Sequence, residues 1–388
     1  MRRLLAIRDA VMAAILPLDA EEVPAEAALG RYLAAAAVAR VASPPHTCSA
    51  MDGYAVRAAD VAGPCGLPVT GAVYAGDAPG PLAPGAAARI FTGATLPEGA
   101  DAVVREEAVR AEGAVARFAA AAAPGENVRR AGEDVPAGGL ALGPGARVGG
   151  RQAALLAAVG ADRLTVHRRA RVAILSTGDE VVSGRIPDSN GAALAALVRA
   201  LGADPSRAVV GDRLDAVAAG MEAALAGSDA VVTVGGVSVG ERDHVPAALA
   251  RLGAEVRVHG VPMKPGKPFL FARAGGKPVF GLPGSPSACL VAFEVFARPG
   301  LLTLAGAARR ERHAVPVRLA EAASGRPGRA RLLWARMEPG GRARPLGRDS
   351  AQVRGPALAD ALLLVPADAG ELPEGAEVTA WLLDDDAP

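Results

Sequence analysis

The segment Arg171–Glu180 reads RVAILSTGDE: an apolar run of β-forming residues that stops at polar residues, a glycine and two acids. The same pattern returns in Ala230–Gly240, AVVTVGGVSVG, and in Pro278–Ser287, PVFGLPGSPS. Stretches of helical character separate these segments, for example Gly191–Leu201. Strands that alternate with helices predict a mostly parallel sheet covered by helices. The polar ends of the parallel strands then share one edge, where such sheets bind ligands.

The patterns to either side of this segment differ from it. The full set of elements predicted for the α/β segment is Arg171–Ser176, Gly191–Leu201, Ala208–Val210, Asp212–Ala226, Ala230–Val234, Val245–Leu252, Glu255–Val261, Pro278–Leu282 and a helix from Ser285 to Phe296. Short β-type runs between closely spaced turn signals predict a small all-β unit before it and a barrel or sandwich after it. These runs are Val69–Tyr74, Arg89–Thr92, Ala102–Arg105 and Ala114–Phe118, then Ala314–Leu319, Arg331–Arg336, Leu362–Val365 and Val378–Leu383.

The N-terminal forty residues are predicted to form two helices. Leu4, Ile7 and Val11 fall on one face of the first, and the Ala-rich run Ala25–Val41 is the second. Gly149–Val159 is predicted as a helix and Arg163–His167 as a strand. The predicted fold class is therefore a multidomain α/β plus β protein with a central, mostly parallel α/β domain.

The composition of the chain limits the kinds of binding partner that can be expected. The chain has 388 residues, a length of two to four domains, and a formal charge of +1, so nothing favours a nucleic-acid or acidic-membrane partner. Its apolar runs are shorter than the roughly 18 residues that cross a bilayer. Cys48, Cys65 and Cys289 are odd in number and far apart, which predicts no disulfide framework and a cytoplasmic protein.

Three loops at one sheet edge favour a phosphate-bearing ligand. The glycines of Gly235–Gly240, with Ser238 among them, allow backbone N–H groups to point at an anion. Ser285 and Ser287 stand at the start of a helix, where anions bind. Carboxylates near this edge predict Mg²⁺ bound through one or two of them and ligand oxygens. They are Asp179, Glu180, Asp188, Asp212 and Asp243, although Asp212 could be a helix N-cap and Asp188 a turn residue.

The segment Lys264-Pro265-Gly266-Lys267-Pro268 contains two of the three lysines in the chain. Because proline follows each lysine, extended polyproline geometry is predicted, with both ammonium groups on one edge about 9 Å apart. Such a pair would clamp an oxyanion. Solvated surface lysines are the alternative.

Three other polar segments could equally be functional sites or ordinary turns. Asp52 precedes Gly53, Thr92 precedes Gly93, and Asp134 ends a charged stretch that begins at Asn127. The five histidines show no metal-ligand spacing and are expected to be structural.

The ordered motifs of this chain resemble those of the molybdopterin molybdotransferases, the family of MoeA and of the C-terminal half of gephyrin. The resemblance covers about residues 5 to 380. The motifs are SAMDGYAVRAAD (49–60), FTGATLPEGADAVV (91–104), GENVRRAGED (125–134), ILSTGDE (174–180), PDSN (187–190), GGVSVGERD (235–243), MKPGKPFLF (263–271) and GLPGSP (281–286).

The resemblance implies insertion of molybdenum from molybdate into the dithiolene of adenylylated molybdopterin, with release of AMP and use of Mg²⁺. It implies a homodimer of four-domain subunits, built from 1–42 with 140–169, 43–139, 170–306 and 307–388. It also implies a cleft shared between subunits and transient contact with a molybdopterin adenylyltransferase.

The resemblance also implies functional residues. Those implied for catalysis are Asp52, Thr92, Asp134, Glu180, Asp212 and Asp243, with Asp179, Glu180 and Asp243 at the metal. Those implied for substrate binding are Ser176, Thr177, Gly178, Asp188, Asn190, Gly235, Gly236, Ser238, Gly240, Lys264, Lys267, Pro283, Gly284 and Ser285.

The chain departs from the family pattern at two positions. Ser285 stands where the family has Asn, which removes an amide donor, and Pro187 stands where an aromatic residue is common. Adenylylation of molybdopterin or a nucleotide, a gephyrin-like scaffold without activity, and tungstate in place of molybdate are the alternatives.

Overall fold

A computed structural model describes residues 1–238, 240–241, 243–325, 328–347 and 351–383. Its α/β unit contains a mixed sheet, in which parallel strands occupy one side and antiparallel strands the other. In the described part of the chain, the order across the sheet is Asp204–Val210, Arg171–Thr177, Ala230–Val234, Lys277–Leu282, Leu270–Ala274 and Glu255–His259. Pairing is parallel as far as Lys277–Leu282 and antiparallel beyond it. The strand Leu270–Ala274 was absent from the sequence prediction.

Both faces of this sheet are buried. Val172 and Ile174 point into one core and Ala173 and Leu175 into another, because successive side chains of a strand alternate between faces. The covering helices are Asp179–Val182, Ser189–Ala200, Leu214–Gly227, Val245–Arg251, and a continuous helix of Pro286–Ala292, a π-helical turn at Phe293–Ala297, and Arg298–Leu304.

The continuous helix Pro286–Leu304 is long and apolar enough to cross a membrane, as judged within the described residues. However, 94% of its most apolar window is buried inside the protein. It is therefore a buried core helix of the α/β unit. Phe293 and Phe296 pack it against the sheet.

The N-terminal segment differs from the prediction. The helix Arg2–Ala13 forms as expected, and its Leu4 and Val11 pack into the core of the α/β unit. The predicted helix Ala25–Val41 is wrong: only the 3₁₀ turn Ala25–Ala28 forms in that described stretch. The chain leaves the turn through Gly30, whose φ of +78° is left-handed, and then pairs as short strands.

These strands join two stretches that are far apart in sequence. Ala20–Pro24 pairs with Arg163–His167, and Ala37–Val38 pairs with Leu140–Leu142. The helix Gly150–Ala158 covers them, and Leu33, Leu156 and Val166 are among the buried residues between them.

The unit between these stretches is all β, as predicted. In the described residues its sheet has the order Ala102–Arg105, Gly53–Val56, Ala87–Ile90, Cys65–Val73, Val115–Phe118 and Val109–Glu112. Cys48–Ser49 pairs with Val128–Arg129 beside it, and short 3₁₀ turns occupy Ala58–Asp60 and Glu106–Ala108.

The C-terminal unit is a closed barrel. The strands follow one another in the order Ala330–Glu338, Arg342–Pro345, Ala314–Leu319, Glu377–Leu382 and Ala361–Val365, and the last pairs again with the first. Other elements here are the paired strands Ala323–Ser324 and Glu371–Leu372 and the helix Arg354–Leu358.

The barrel and the α/β unit share one core. Trp334, Leu362 and Trp381 of the barrel pack in the same apolar cluster as Phe280 and Phe293 of the α/β unit. Met263–Lys264 also pairs with the first barrel strand, through Ala330–Arg331. Because the two units share this core, the surface between them is a fixed feature of the chain.

Candidate functional site

The loops that follow three neighbouring parallel strands meet at one edge, as the sequence predicts. The Thr177 hydroxyl donates to the Val234 carbonyl over 3.3 Å. A Cβ atom on Gly235 would lie 2.9 Å from Thr177 Oγ1, and one on Gly284 would lie 3.5 Å from Gly235 Cα. Gly235 and Gly236 have φ values of +83° and +64°. Close approach and left-handed backbone together explain why glycine is needed here.

Asp188 and Asn190 tie a helix to this edge. Asn190 Nδ2 donates to the Gly284 carbonyl over 2.7 Å, which places the PDSN and GLPGSP motifs in contact. Asp188 caps the helix that starts at Ser189 and accepts from Gly191 N at 2.9 Å, Ser176 Oγ at 2.9 Å and Arg207 Nη2 at 2.7 Å. Burial works against the charged form, but these donors hold the pKa of Asp188 below its ordinary value.

Asp179 and Asp212 clamp two loops together. Asp179 N donates to Asp212 Oδ2 at 3.3 Å, and Asp212 N donates to Asp179 Oδ1 at 3.1 Å. Asp212 is therefore not the helix N-cap that the sequence allowed, since Arg213 occupies the N-cap position before Leu214. Glu180 stands in the first turn after Gly178, half-buried beside this pair.

The GGVSVG loop closes on itself at its far end. Gly240 N donates to Asp243 Oδ2 over 2.8 Å, and Asp243 N donates to the Gly240 carbonyl over 3.0 Å. Ser238, which precedes this turn, is partly exposed, while Val239 and Arg242 lie outside the described residues.

The carboxylates at this edge offer a partial metal site. Within the described ranges, no group of three or more His, Cys, Asp or Glu side chains converges to hold an ion. Asp179 and Asp243 each use one oxygen to accept a backbone N–H. The arrangement fits Mg²⁺, which binds through one or two carboxylates and completes its shell with water and ligand phosphate oxygens.

The lysine loop does not have the predicted geometry. The Lys264–Pro265 peptide is cis and Gly266 has a φ of +99°, so the segment is not a polyproline helix. The side chains of both lysines are exposed, and neither ammonium group makes a hydrogen bond or ion pair among the described residues. Lys264 lines a cavity of about 400 Å³ between the α/β unit and the barrel, and Lys267 is not part of its lining.

The serines after the third strand differ in environment. Ser285 is exposed at the start of the long helix, and no side-chain cap bond forms there. Ser287 is buried, and its Oγ accepts from Trp334 Nε1 over 2.9 Å. This bond joins the α/β unit to the barrel at the wall of the Lys264 cavity and uses the Ser287 oxygen as an acceptor.

Sequence reasoning missed the barrel side of this cavity. Arg331, the strand partner of Lys264, and Trp334 line it together with Lys264. Trp334 is one of only two tryptophans in the chain. This rarity, like that of the lysines, is the one feature of the sequence that could have drawn attention to it. Arg207, which fixes Asp188, had no signal in the sequence.

Asp52 and Thr92 form a separate pair on the β unit. Asp52 Oδ1 accepts from Thr92 N at 2.8 Å and from Thr92 Oγ1 at 2.7 Å. These two bonds lower the pKa of the Asp52 carboxyl, and Arg89 adds to the effect. Asp134 lies apart from the pair, exposed, with its Oδ2 accepting from Ser43 Oγ at 3.4 Å.

The two groups of residues do not join within one chain. In the part of the chain that the structure describes, no hydrogen bond or ion pair links Asp52, Thr92 or Asp134 to the α/β loops. These features define a class of protein: a multidomain chain whose α/β unit carries a glycine-rich, acidic loop edge suited to a phosphate-bearing ligand, beside a closed barrel.

Family models match almost the whole length of the chain. A model described as the MoeA N-terminal region (domain I and II) matches residues 4–160. A probable molybdopterin binding domain matches 173–303, and the MoeA C-terminal region (domain IV) matches 316–383.

Individual relatives agree with these models. The molybdopterin molybdenumtransferase of Nostoc sp. is 41% identical over 308 residues, which cover 75% of this chain and 71% of the relative. That of Haemophilus influenzae is 35% identical, with 75% and 74% covered. A solved MoeA structure from Pyrococcus horikoshii covers 98% of both chains at a TM-score of 0.77 and 34% identity. The chain belongs to the molybdopterin molybdenumtransferase (MoeA) family, which confirms the resemblance seen in its motifs.

Proposed function

We propose that this protein is a Mg²⁺-dependent transferase that inserts molybdenum from molybdate into adenylylated molybdopterin and releases AMP. The observation that carries the proposal is the contact between the loops of Thr177, Gly235 and Gly284, with Glu180 beside them. Backbone N–H groups and carboxylates at one edge suit a phosphoanhydride and its metal ion. The names of the relatives give molybdopterin as the class of ligand and molybdenum as the group transferred.

Each group of residues has a proposed role. The phosphates bind at the backbone of the GGVSVG loop and at Gly284 and Ser285. Molybdate binds at the Lys264 cavity, whose ammonium is a compact cationic donor. Ser176 and Asp188 position the loops through their mutual bond. Asp179, Glu180 and Asp243 are the carboxylates from which one or two would hold Mg²⁺, and the bound ion would supply charge neutralisation at the adenylate phosphate.

The proposed reaction balances without any oxidant. Water breaks the phosphoanhydride bond, which gives AMP and frees the molybdopterin phosphate. The two dithiolene sulfurs bind molybdenum and displace one oxo group, which leaves as water with the two thiol protons. Molybdenum stays in oxidation state VI throughout.

The separation of Asp52, Thr92 and Asp134 from the α/β loops supports a shared site. We place these residues of one subunit opposite the α/β loops of its partner in a homodimer, with the unit boundaries 1–42 and 140–169, 43–139, 170–306 and 307–388. Adenylylated molybdopterin would then be received from a molybdopterin adenylyltransferase by transient contact.

One assay tests the proposal. The protein is incubated with adenylylated molybdopterin, Mg²⁺ and either molybdate or tungstate, and AMP and dithiolene-bound metal are measured together. We expect AMP release that needs an oxyanion. In a parallel incubation with molybdopterin, ATP and Mg²⁺, formation of adenylylated molybdopterin would show an adenylyltransferase instead, and the absence of both reactions would show a scaffold.

A further inference from the structure

A cavity of about 270 Å³ lies where three parts of the chain meet. Arg147 belongs to the N-terminal unit, Ala200 ends a helix of the α/β unit, and His313 ends the connector that leads into the barrel. Arginine is the commonest residue in its lining, in a chain whose formal charge is only +1. These arginines are Arg147, Arg298, Arg309 and Arg312, with His313 beside them.

This cavity is remote from the loop edge. Ser285 starts the long helix at that edge, and Leu302 of the same helix lines the cavity. At about 1.5 Å per residue, some 25 Å of helix separates the two positions. Ala200 likewise precedes the strand Asp204–Val210, so the cavity lies toward the amino ends of the parallel strands. It is therefore a second place on the molecule and not an extension of the proposed active site.

Its arginines have donors to spare. A guanidinium group has five N–H donors. Arg147 Nη2 donates to the Ala200 carbonyl at 2.9 Å, and Arg309 Nη2 lies 3.2 Å from His313 Nδ1. Among the described residues, neither arginine has a carboxylate partner. The acidic lining residue Glu311 is already paired with Arg8, whose side chain is buried.

One wall of the cavity is fixed. The Arg312 side chain is 6% exposed, and its Nε and Nη2 donate to the two oxygens of Glu294 at 2.9 and 3.1 Å. A rigid cationic wall costs little reorganisation when an anion binds to it, which favours binding.

We propose that this cavity is a binding site for a small tetrahedral oxyanion of the phosphate class, free or as the end group of a small ester. The volume is below the 300–1,000 Å³ typical of drug-sized ligands, which points to a small anion. Arg147 and Arg309 provide its charge-assisted hydrogen bonds. Because these residues come from different units, the bound anion holds the N-terminal unit and the connector against the α/β unit.

Calorimetric titration with inorganic phosphate, and separately with glycerol 3-phosphate, tests this site. Ionic strength is held constant with chloride, because screening alone changes anion binding. The double variant Lys264→Ala/Lys267→Ala should retain the site. The double variant Arg147→Gln/Arg309→Gln should bind roughly tenfold more weakly or worse, because two charge-assisted bonds are lost. Arg110→Gln/Arg151→Gln, at two exposed arginines elsewhere, is the matched control and should bind as the parent does.

The proposal would be overturned by no binding of either anion to the parent protein, by loss of binding in the double lysine variant, or by unchanged binding in the Arg147→Gln/Arg309→Gln variant. A further variant is needed in this titration because an acidic segment follows a residue at the cavity wall. Arg312 Nη1 donates to the Leu383 carbonyl at 2.5 Å, and Asp384, Asp385 and Asp386 follow in sequence. Their joint change to Asn should leave phosphate affinity the same. Phosphate binding seen only in that variant would identify the chain's own carboxylates as the occupant and would refute an external ligand.

Discussion

At the scale of single residues, the proposed chemistry depends on a few charged side chains that have little part in folding. The ammonium groups of Lys264 and Lys267 are exposed and have no partner among the described residues, whereas Lys277 Nζ donates to the Leu225 carbonyl at 2.6 Å. The three lysines of the chain therefore divide into two that are available to a ligand and one that supports the fold.

The first prediction uses this contrast. Lys264→Ala or Lys267→Ala should weaken binding of molybdate or adenylylated molybdopterin by about 1.5–3 kcal/mol each, the cost of a charge-assisted hydrogen bond. Thermal unfolding should barely change. Lys277→Ala should show the reverse, with lowered stability and normal affinity. If calorimetry gives all three variants the same ligand affinity as the parent protein, Lys264 and Lys267 are solvated surface residues that do not bind the ligand.

The second prediction concerns Glu180. An amide oxygen is a poor ligand for Mg²⁺, so Glu180→Gln should lower turnover about tenfold or more at limiting Mg²⁺. Much of the affinity for substrate should remain, because the phosphates still meet the loop backbone. Glu222→Gln, on an exposed position of the helix Leu214–Gly227, is the control. Wild-type turnover in the Glu180→Gln variant would show that Glu180 is not a ligand of Mg²⁺.

At the scale of elements, the site depends on loop backbone that only glycine can form. Gly235→Ala would place a methyl group 2.9 Å from Thr177 Oγ1 and force alanine to a φ of +83°. We expect the free energy of unfolding to fall by about 1–2 kcal/mol and ligand binding to weaken further, since the loop must shift. Gly227→Ala, where the added Cβ meets open space, should be neutral. Denaturant unfolding and titration of both variants check this, and matching results for the two would contradict it.

Another element, the start of the strand Ala230–Val234, is fixed by a buried carboxylate. Burial opposes ionisation of Asp229, but Arg168 and Arg171 lower its pKa from 3.8 to about 2. Because the folded pKa is depressed, this stabilisation is complete above about pH 4 and is lost as pH falls through 2. It corresponds to roughly 2 kcal/mol at neutral pH.

Asp229→Asn should therefore destabilise the α/β unit by about 2 kcal/mol at pH 7, and the difference from the parent should shrink at about pH 2.5. Urea unfolding at both pH values measures this. Asp204→Asn, at an exposed strand start, serves as the control. A difference that is the same at both pH values would assign the effect to packing and not to charge.

The sequence predicted an element correctly where the structure favoured by its local residues is also the one that its tertiary contacts favour. The strand Arg171–Thr177 has an apolar, buried centre at residues 172–175 and is followed by Gly178, so the sequence predicted both its position and its loop. The Ala25–Val41 stretch has helix-forming alanines, but pairing of Ala37–Val38 with the distant Leu140–Leu142 decides its structure. No local pattern contains that partner.

The same distinction applies to the site. The meeting of the Thr177, Gly235 and Gly284 loops follows from the geometry of a parallel sheet, so the sequence could predict it. The Lys264 loop depends on the barrel strand beside it, and the Ser287–Trp334 bond joins residues 47 positions apart. Contacts between units carry no short-range signal, and these were missed.

At the scale of the whole molecule, the residues proposed for catalysis lie on two units, and no hydrogen bond or ion pair links the two sets among the described residues. The Asp52–Thr92 pair belongs to the β unit, and Glu180 belongs to the α/β unit. A two-fold symmetric dimer that brings one set to the other set of the partner would contain two identical sites. This shared site is the central claim of the proposed function.

Subunit mixing tests that claim most directly. Asp52→Ala and Glu180→Ala should each be inactive as homodimers. When they are refolded together, half of the dimers are mixed, and each mixed dimer has one site with both lesions and one with none. AMP release should therefore return to roughly a quarter of the wild-type rate. Activity near zero after subunit exchange has been verified would mean that every site lies within one subunit, and would contradict the account.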